Sequence, residues 1–175
     1  MIPTTVQFTL LALSSLILAE CDFTVNAKDR EIIITRIFDA PRGLVWKLWT
    51  DPKLIPQWWG PRRLTTKVDK MDLRPAGVWR FVQRDSSGNE YAFNGVYREI
   101  VAPERLVYTF EFEGMPGHVA VETVTFEADD GRTKLTNKVL YKAVEDIEGM
   151  VKSGMQEGVI ETVARFAELL AKKSG

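Results

Sequence analysis

Three polar side chains at inward positions of predicted strands are the residues of this sequence that could do chemistry. Gln83, Glu122 and Asn137 share their strand faces with apolar and aromatic residues, whereas the opposite faces carry Arg, Glu and Lys. Burying such groups in a dry core is costly, but a cavity that holds water or a ligand tolerates them. A carboxyl group in apolar surroundings has a raised pKa and can act as a base, with amides and tyrosine hydroxyls as its hydrogen-bond partners. A bulge that turns Glu122 toward solvent is the alternative.

Other catalytic groups are scarce. The single cysteine, Cys21, excludes an internal disulfide, and the single histidine, His118, argues against a histidine-based metal cluster. Cys21 precedes the predicted domain, and His118 lies where a turn at 114–117 meets a strand, which favours a surface position. No set of nucleophile, base and orienting residue can be recognised. Glu122 is therefore the one catalytic candidate, and no metal or cofactor is predicted.

The elements that position these groups begin with a strand. The β-branched stretch EIIITRIF (31–38) predicts this strand, and Asp39-Ala40-Pro41 predicts the start of a first short helix, with Asp39 as a candidate cap. Asp51-Pro52 predicts the start of a second short helix. Gly60-Pro61 ends it, because glycine accepts a left-handed cap and proline cannot continue a helix.

The residues after Pro61 alternate between apolar and polar positions. Together with turn signals, the alternation predicts about six strands joined by short turns, hence a curved antiparallel meander. These strands are expected near 64–73, 77–85, 90–99, 104–113, 118–128 and 131–141. An apolar stripe over 145–173 then predicts one long C-terminal helix, with Gly149, Gly154 and Gly158 in its first half. The fold class is α+β, with a curved sheet that wraps a helix.

The side-chain alternation predicts which residues face the space between sheet and helix. We expect a cavity with aromatic walls and a few polar groups, the usual composition of a ligand pocket. Ordinary core packing of the same rings is the alternative. The predicted lining residues are Trp59, Trp79, Phe81, Gln83, Phe93, Tyr97, Tyr108, Phe110, Glu122, Val124, Asn137, Met155 and Val159.

The side chains of the two adjacent tryptophans in the segment WWGP (58–61) must lie in two different environments. Neighbouring side chains on a helix point about 100° apart, so both rings cannot lie on one core-facing stripe. A helix of about two turns needs an anchor, because helices that short are marginal alone. We predict that Trp58 is this anchor and that Trp59 lies at the rim of the cavity.

Length and composition set the limits of the interpretation. The chain of 175 residues suits one domain, and 23 basic against 24 acidic residues leave no nucleic-acid footprint. We place the domain at 29–175 and an N-terminal extension at 1–28. The apolar run in residues 1–20 is too short to span a bilayer, and no Lys or Arg precedes it. A cytoplasmic protein is expected, with export through a signal-like segment as the alternative.

Several motifs in fixed order resemble a known family. They are DAP (39–41), WTDP (49–52), WWGP (58–61), DLRPAG (72–77) and GMQEG (154–158). Over about 29–172 the chain resembles the bacterial homologues of the C-terminal domain of the heat-shock protein 90 ATPase activator. These belong to the START-like, birch-pollen-allergen-like superfamily, which includes polyketide cyclases. The sequence departs from the family at Ala76, where a glycine is usual.

The resemblance implies a helix-grip fold, in which the sheet and the long helix enclose a hydrophobic cavity, but it implies no reaction. Binding of an apolar or aromatic small molecule is the function we expect. One alternative is a cyclase, hydrolase or dehydratase that uses the same cavity, with Glu122 as its base. Another is a chaperone-associated or stress-response partner protein. A homodimer is compatible with the sequence, which carries no decisive interface signal.

Overall fold

A computed structural model of the chain describes residues 21–175, and the signal-like segment at residues 1–20 lies outside them. In the described part, eight antiparallel strands form one sheet in the order β1-β2-β8-β7-β6-β5-β4-β3. The strands are β1 Asp22–Asn26, β2 Glu31–Phe38, β3 Thr65–Met71, β4 Val78–Arg84, β5 Glu90–Val101, β6 Arg105–Phe112, β7 Ala120–Asp129 and β8 Arg132–Leu140. The helices are α1 Arg42–Thr50, a 3₁₀ turn Ile55–Gln57, α2 Val144–Lys152 and α3 Met155–Ser174. This arrangement confirms the predicted α+β helix-grip fold.

Strand β1 lies inside the segment that the sequence assigned to an N-terminal extension. It pairs with β2 in a regular antiparallel register, from Asp22 opposite Thr35 to Asn26 opposite Glu31. Cys21, which was expected outside the domain, packs against the apolar cluster that includes Ile32. Burial raises the pKa of the Cys21 thiol, so the reactive thiolate is disfavoured. The last residues of the predicted extension therefore belong to the sheet.

The six strands predicted after Pro61 correspond to β3–β8. Strands β7 and β8 pair without a break from Val121 opposite Leu140 to Asp129 opposite Arg132, so β7 contains no bulge. The register shifts instead in β3, between Val68 and Lys70, and in β5, between Tyr97 and Glu99. Because side chains alternate along an unbroken strand, the inward direction of Val124 fixes the inward direction of Glu122.

The second predicted helix is wrong in type. The chain forms turns after Asp51 and then only the 3₁₀ turn Ile55–Gln57. Only a few residues separate Pro52 from Gly60, too few for the cooperative hydrogen bonding that sustains an α-helix. The predicted cap of the first helix is also wrong: α1 begins after Pro41, with no side-chain capping bond, and Asp39 is exposed.

The long C-terminal helix is present as α3, but the first part of the segment predicted for it forms a separate helix, α2. Gly154 lies between them with φ 77°, a left-handed conformation that interrupts the helix. Val151, which the apolar stripe placed on the buried side, is 44% exposed. After this break α2 is a separate helix, and its residues Ile147 and Met150 pack in the apolar cluster that includes Ile32.

The main core lies between α1, α3 and the inner face of the sheet. Phe166 of α3 contacts Phe38, Trp49 and Trp58, with ring centroids 4.8–5.5 Å apart. Ala76, in the DLRPAG turn, has φ 64°, the left-handed conformation that glycine adopts without cost. The departure from the family's glycine therefore changes the residue but not the turn.

Candidate functional site: a polar cluster in an aromatic cavity

A cavity of about 320 Å³ lies between the inner face of the sheet and helices α2 and α3. Every predicted lining residue except Val124 lies on its wall. Val124 is inward-facing but fully buried in the main core, because α1 covers that end of β7 with Trp46 and Trp49 against Phe126. The residues that line the cavity as predicted are Trp59, Trp79, Phe81, Gln83, Phe93, Tyr97, Tyr108, Phe110, Glu122, Asn137, Met155 and Val159.

Aromatic rings form most of the sheet side of the cavity. Trp79 on β4 lies at the centre of this wall, with centroid distances of 4.9 Å to Phe81, 5.9 Å to Tyr108 and 5.8 Å to Phe110. Its indole N–H donates to the carbonyl of Thr109 at 3.2 Å. Edge-to-face and tilted contacts of this kind hold rings in fixed positions. The wall is therefore a rigid apolar surface.

Glu122 forms a hydrogen-bonded cluster with Tyr108 and Asn137 in this wall. The Tyr108 hydroxyl donates to Glu122 Oε2 at 2.8 Å, and Asn137 Nδ2 donates to the same oxygen at 2.9 Å. Tyr108 is cross-strand from Glu122, and Asn137 is cross-strand from Val124, so the sheet register brings the three together. The residues that the sequence selected for their chemistry thus meet at one point.

The electrostatics of the cluster favour its neutral form. Burial raises the pKa of Glu122, although the bonds from Asn137 and Tyr108 oppose the shift. Burial, and the nearby Glu122 carboxyl, raise the pKa of Tyr108 well above its usual value, so this hydroxyl remains a donor. Desolvation is the larger effect on Glu122 because it penalises the carboxylate. The cluster can hold or release a proton at a pH above the usual glutamate range.

Substitution of Glu122 with glutamine is expected to remove a pH dependence of stability. A carboxyl group with a raised pKa stabilises the fold fully below its unfolded value, 4.5, and this contribution is lost as the pH rises through the folded pKa. The free energy of unfolding of the wild type should therefore fall relative to Glu122→Gln as the pH increases from about 4.5. Urea unfolding measured across this window tests the prediction.

A matched control comes from the same strand. Glu127 is exposed on β7 and pairs with Lys134 at 3.8 Å. Glu127→Gln should leave the pH profile close to that of the wild type, since exposed ion pairs contribute little. Parallel profiles for the wild type and Glu122→Gln would show that the Glu122 pKa is not raised.

The two amide side chains of the cavity wall, Asn137 and Gln83, differ in their hydrogen bonds. Asn137 is 9% exposed, and its Oδ1 has no hydrogen-bond partner among the described residues. Gln83 lies elsewhere on the wall, where Nε2 is 3.5 Å from Thr66 Oγ1 and fits against Gly60, whose missing side chain leaves the space. Gln83 thus closes the wall beside the WWGP segment, while Asn137, which also lines the cavity, has an unused acceptor.

Arg36 and Tyr141 also line the cavity and were not in the predicted set. Arg36 lies on β2 on the same face as Ile34 and Phe38, and its guanidinium carbon is 5.3 Å from the Phe38 ring centroid. The alternation of β2 was a signal for Arg36, since it is two residues from each of these inward side chains. The Tyr141 hydroxyl lies 3.9 Å from the Met155 sulfur.

The WWGP segment closes one side of the cavity. Trp58 is 3% exposed, and its indole N–H donates to the Leu48 carbonyl at 3.0 Å. Trp59 is partly buried and contacts Phe81 and Phe93 at the cavity wall. Arg165 of α3 donates to the carbonyls of Gly60 and Gln57, at 2.6 and 3.0 Å, and so ties the segment to the helix.

Other candidate chemistry is absent from the described region. His118 is exposed and pairs with Asp146 near the start of α2. Over residues 21–175, no cluster of three His, Cys, Asp or Glu side chains is suited to a metal ion. No helix in that range has the length and apolar character needed to cross a membrane.

A sheet and a long C-terminal helix that together enclose an aromatic cavity define a START-like domain. Several solved structures share this fold. One is the solution structure of a protein from Arthrobacter aurescens, with 24% identity, coverage of 86% of this chain and 91% of that chain, and a TM-score of 0.81. Protein Ms6760 from Mycobacterium smegmatis has 25% identity, coverage of 87% and 98%, and a TM-score of 0.79.

A further relative in shape is the AHSA1 protein from Silicibacter pomeroyi, with 21% identity, coverage of 82% and 99%, and a TM-score of 0.68. The family model of Activator of Hsp90 ATPase homolog 1-like proteins matches residues 39–171. The chain therefore belongs to this family, as its motifs indicated. No curated protein sequence matches the chain.

Proposed function

We propose that the protein binds an apolar or aromatic small molecule in the cavity between the sheet and α3. The observation that carries the proposal is the composition of the wall, in which packed rings surround a polar cluster at Glu122. Ligand sites combine such walls with a few polar groups that orient the ligand. A core that served stability alone would gain more from filling this space, since cavities reduce stability.

Binding can be tested by native mass spectrometry of the purified protein and by displacement of a fluorescent hydrophobic dye. The wild type should bind the dye and release it to small aromatic competitors at micromolar concentration. Val159→Phe, on the cavity side of α3, should weaken dye binding because the larger side chain occupies the space. Circular dichroism would establish that this variant is folded.

Val151→Phe is the matched control for this experiment. Val151 is exposed on α2 and is not on the cavity wall, so the same substitution there should leave dye binding unchanged. An interior that admits neither dye nor competitors at micromolar concentration would contradict the proposal. Equal weakening by both variants would place the dye on the surface rather than in the cavity.

A second candidate function is proton transfer to or from a bound ligand, as in the cyclases of the superfamily. The observation that favours it is the position of Glu122 on the cavity wall, with its pKa raised by burial. Glu122→Gln should then abolish turnover while binding persists, because glutamine can still accept the bonds from Tyr108 and Asn137. Unchanged turnover of every accepted substrate would exclude Glu122 as the base.

A further inference from the structure

The hydrogen bonds of the cluster leave one of its acceptors unused. The hydroxyl hydrogen of Tyr108 is used on Glu122 Oε2, so Tyr108 has no hydrogen left to donate. Asn137 donates through Nδ2 to that same oxygen. Its Oδ1 has no partner among residues 21–175, although the residue is nine-tenths buried. In the described part of the chain, Asn137 Oδ1 is therefore an acceptor that lacks a donor.

A buried amide oxygen without a partner is unfavourable, and a ligand that supplies a donor removes this cost. A purely apolar molecule leaves Asn137 Oδ1 unpaired, whereas a phenol, an indole or an aromatic amine can donate to it. Binding specificity of this kind arises from the polar group that would otherwise stay unsatisfied.

We propose that the cavity selects aromatic ligands that carry an O–H or N–H donor, and that Asn137 Oδ1 accepts the hydrogen bond. The inference rests on the proposed binding function and adds the chemical class of the ligand. Rings of Trp79, Phe110 and Tyr108 hold the aromatic body, and the donor reaches the cluster on β7 and β8. Tyr108 lies both in the aromatic wall and in the cluster, which joins the two parts of the site.

Charged groups around the cavity also limit the charge of a ligand that can bind at the cluster. Glu122 accepts a hydrogen bond from Asn137 Nδ2, so an anionic ligand placed at the cluster would lie against this carboxyl group and would be repelled whenever the group is ionised. Arg36 also lines the cavity, but it lies opposite Leu135, one inward position along the sheet from the Ile34–Asn137 pair. At the cluster itself, a neutral donor is therefore matched to Asn137.

The test compares ligands of one skeleton. Affinities of the wild type for 2-naphthol, 2-methoxynaphthalene and 2-naphthoate would be measured by dye displacement and calorimetry. 2-Naphthol should bind about tenfold tighter than its methyl ether, the effect of one hydrogen bond to a buried acceptor. In Asn137→Leu this preference should vanish, with the affinity for the ether retained.

The matched control is Thr136→Val, the neighbouring position on the opposite face of β8, which should keep the preference. Equal affinities of the wild type for naphthol and ether would overturn the donor inference while the cavity remains a binding site. Tighter binding of naphthoate than of naphthol would overturn it as well. Failure of all three ligands and of the dye would overturn the binding function itself. The wild-type ratio decides the question even if Asn137→Leu does not fold.

Discussion

Trp58→Ala is expected to lower the free energy of unfolding by about 3–5 kcal/mol, the usual loss when a buried aromatic side chain is truncated. The Trp58 ring is almost fully buried between Trp49 and Phe166, at centroid distances of 4.9 and 4.8 Å. Its N–H also satisfies the Leu48 carbonyl near the end of α1. Truncation therefore removes these ring contacts and leaves an unpaired carbonyl, and both reduce stability. Urea unfolding monitored by circular dichroism measures the loss.

Trp59→Ala is the paired control, with an expected loss of about 1–2 kcal/mol, because part of the ring already borders the cavity. Its truncation enlarges a space that exists in the wild type and breaks the ring contacts with Phe81 and Phe93. The 3₁₀ turn stays attached through Trp58 and through the Arg165 bonds. A larger loss for Trp59→Ala than for Trp58→Ala would show that the two rings have the opposite roles.

The cavity wall could be predicted from the sequence because it is built on a meander. Short turns fix which strands are neighbours, and strand alternation then fixes which side chains share a face. Glu122 and Asn137 come together for this reason, although their hydrogen bond could not be read from the spacing. The inward Arg36 followed from the same rule but was overlooked, since its strand was interpreted only for its β-branched residues.

The helical segments were harder to predict because periodicity does not report on single backbone conformations. The apolar stripe from Ile147 to Leu170 continues across the break, so the left-handed Gly154 has the same signature as a glycine inside a helix. Val124 shows a related limit. Alternation identifies its inward direction, but packing by α1 decides that it meets core rather than cavity.

Gly95 shows a limit of another kind, since its role depends on a close approach between β5 and β6. A Cβ atom at this position would lie 1.7 Å from the Thr109 carbonyl oxygen and 2.5 Å from the Trp79 indole nitrogen. The first contact is with backbone of the neighbouring strand, which cannot move without disturbing the sheet. The second is with the ring at the centre of the cavity wall. Glycine is thus required for the Trp79 to Thr109 hydrogen bond.

Gly95→Ala is therefore expected to lower the free energy of unfolding by about 3 kcal/mol or more, at the upper end of the cost of overpacking. It should also displace Trp79, which a change in intrinsic tryptophan fluorescence would report. Gly149→Ala is the matched control, because a Cβ on this exposed glycine of α2 meets no atom within 4 Å. There the substitution should raise stability by about 0.5–1 kcal/mol through helix propensity. A Gly95→Ala variant as stable as the wild type would show that β5 and β6 can separate, and that the cavity wall is not held by this contact.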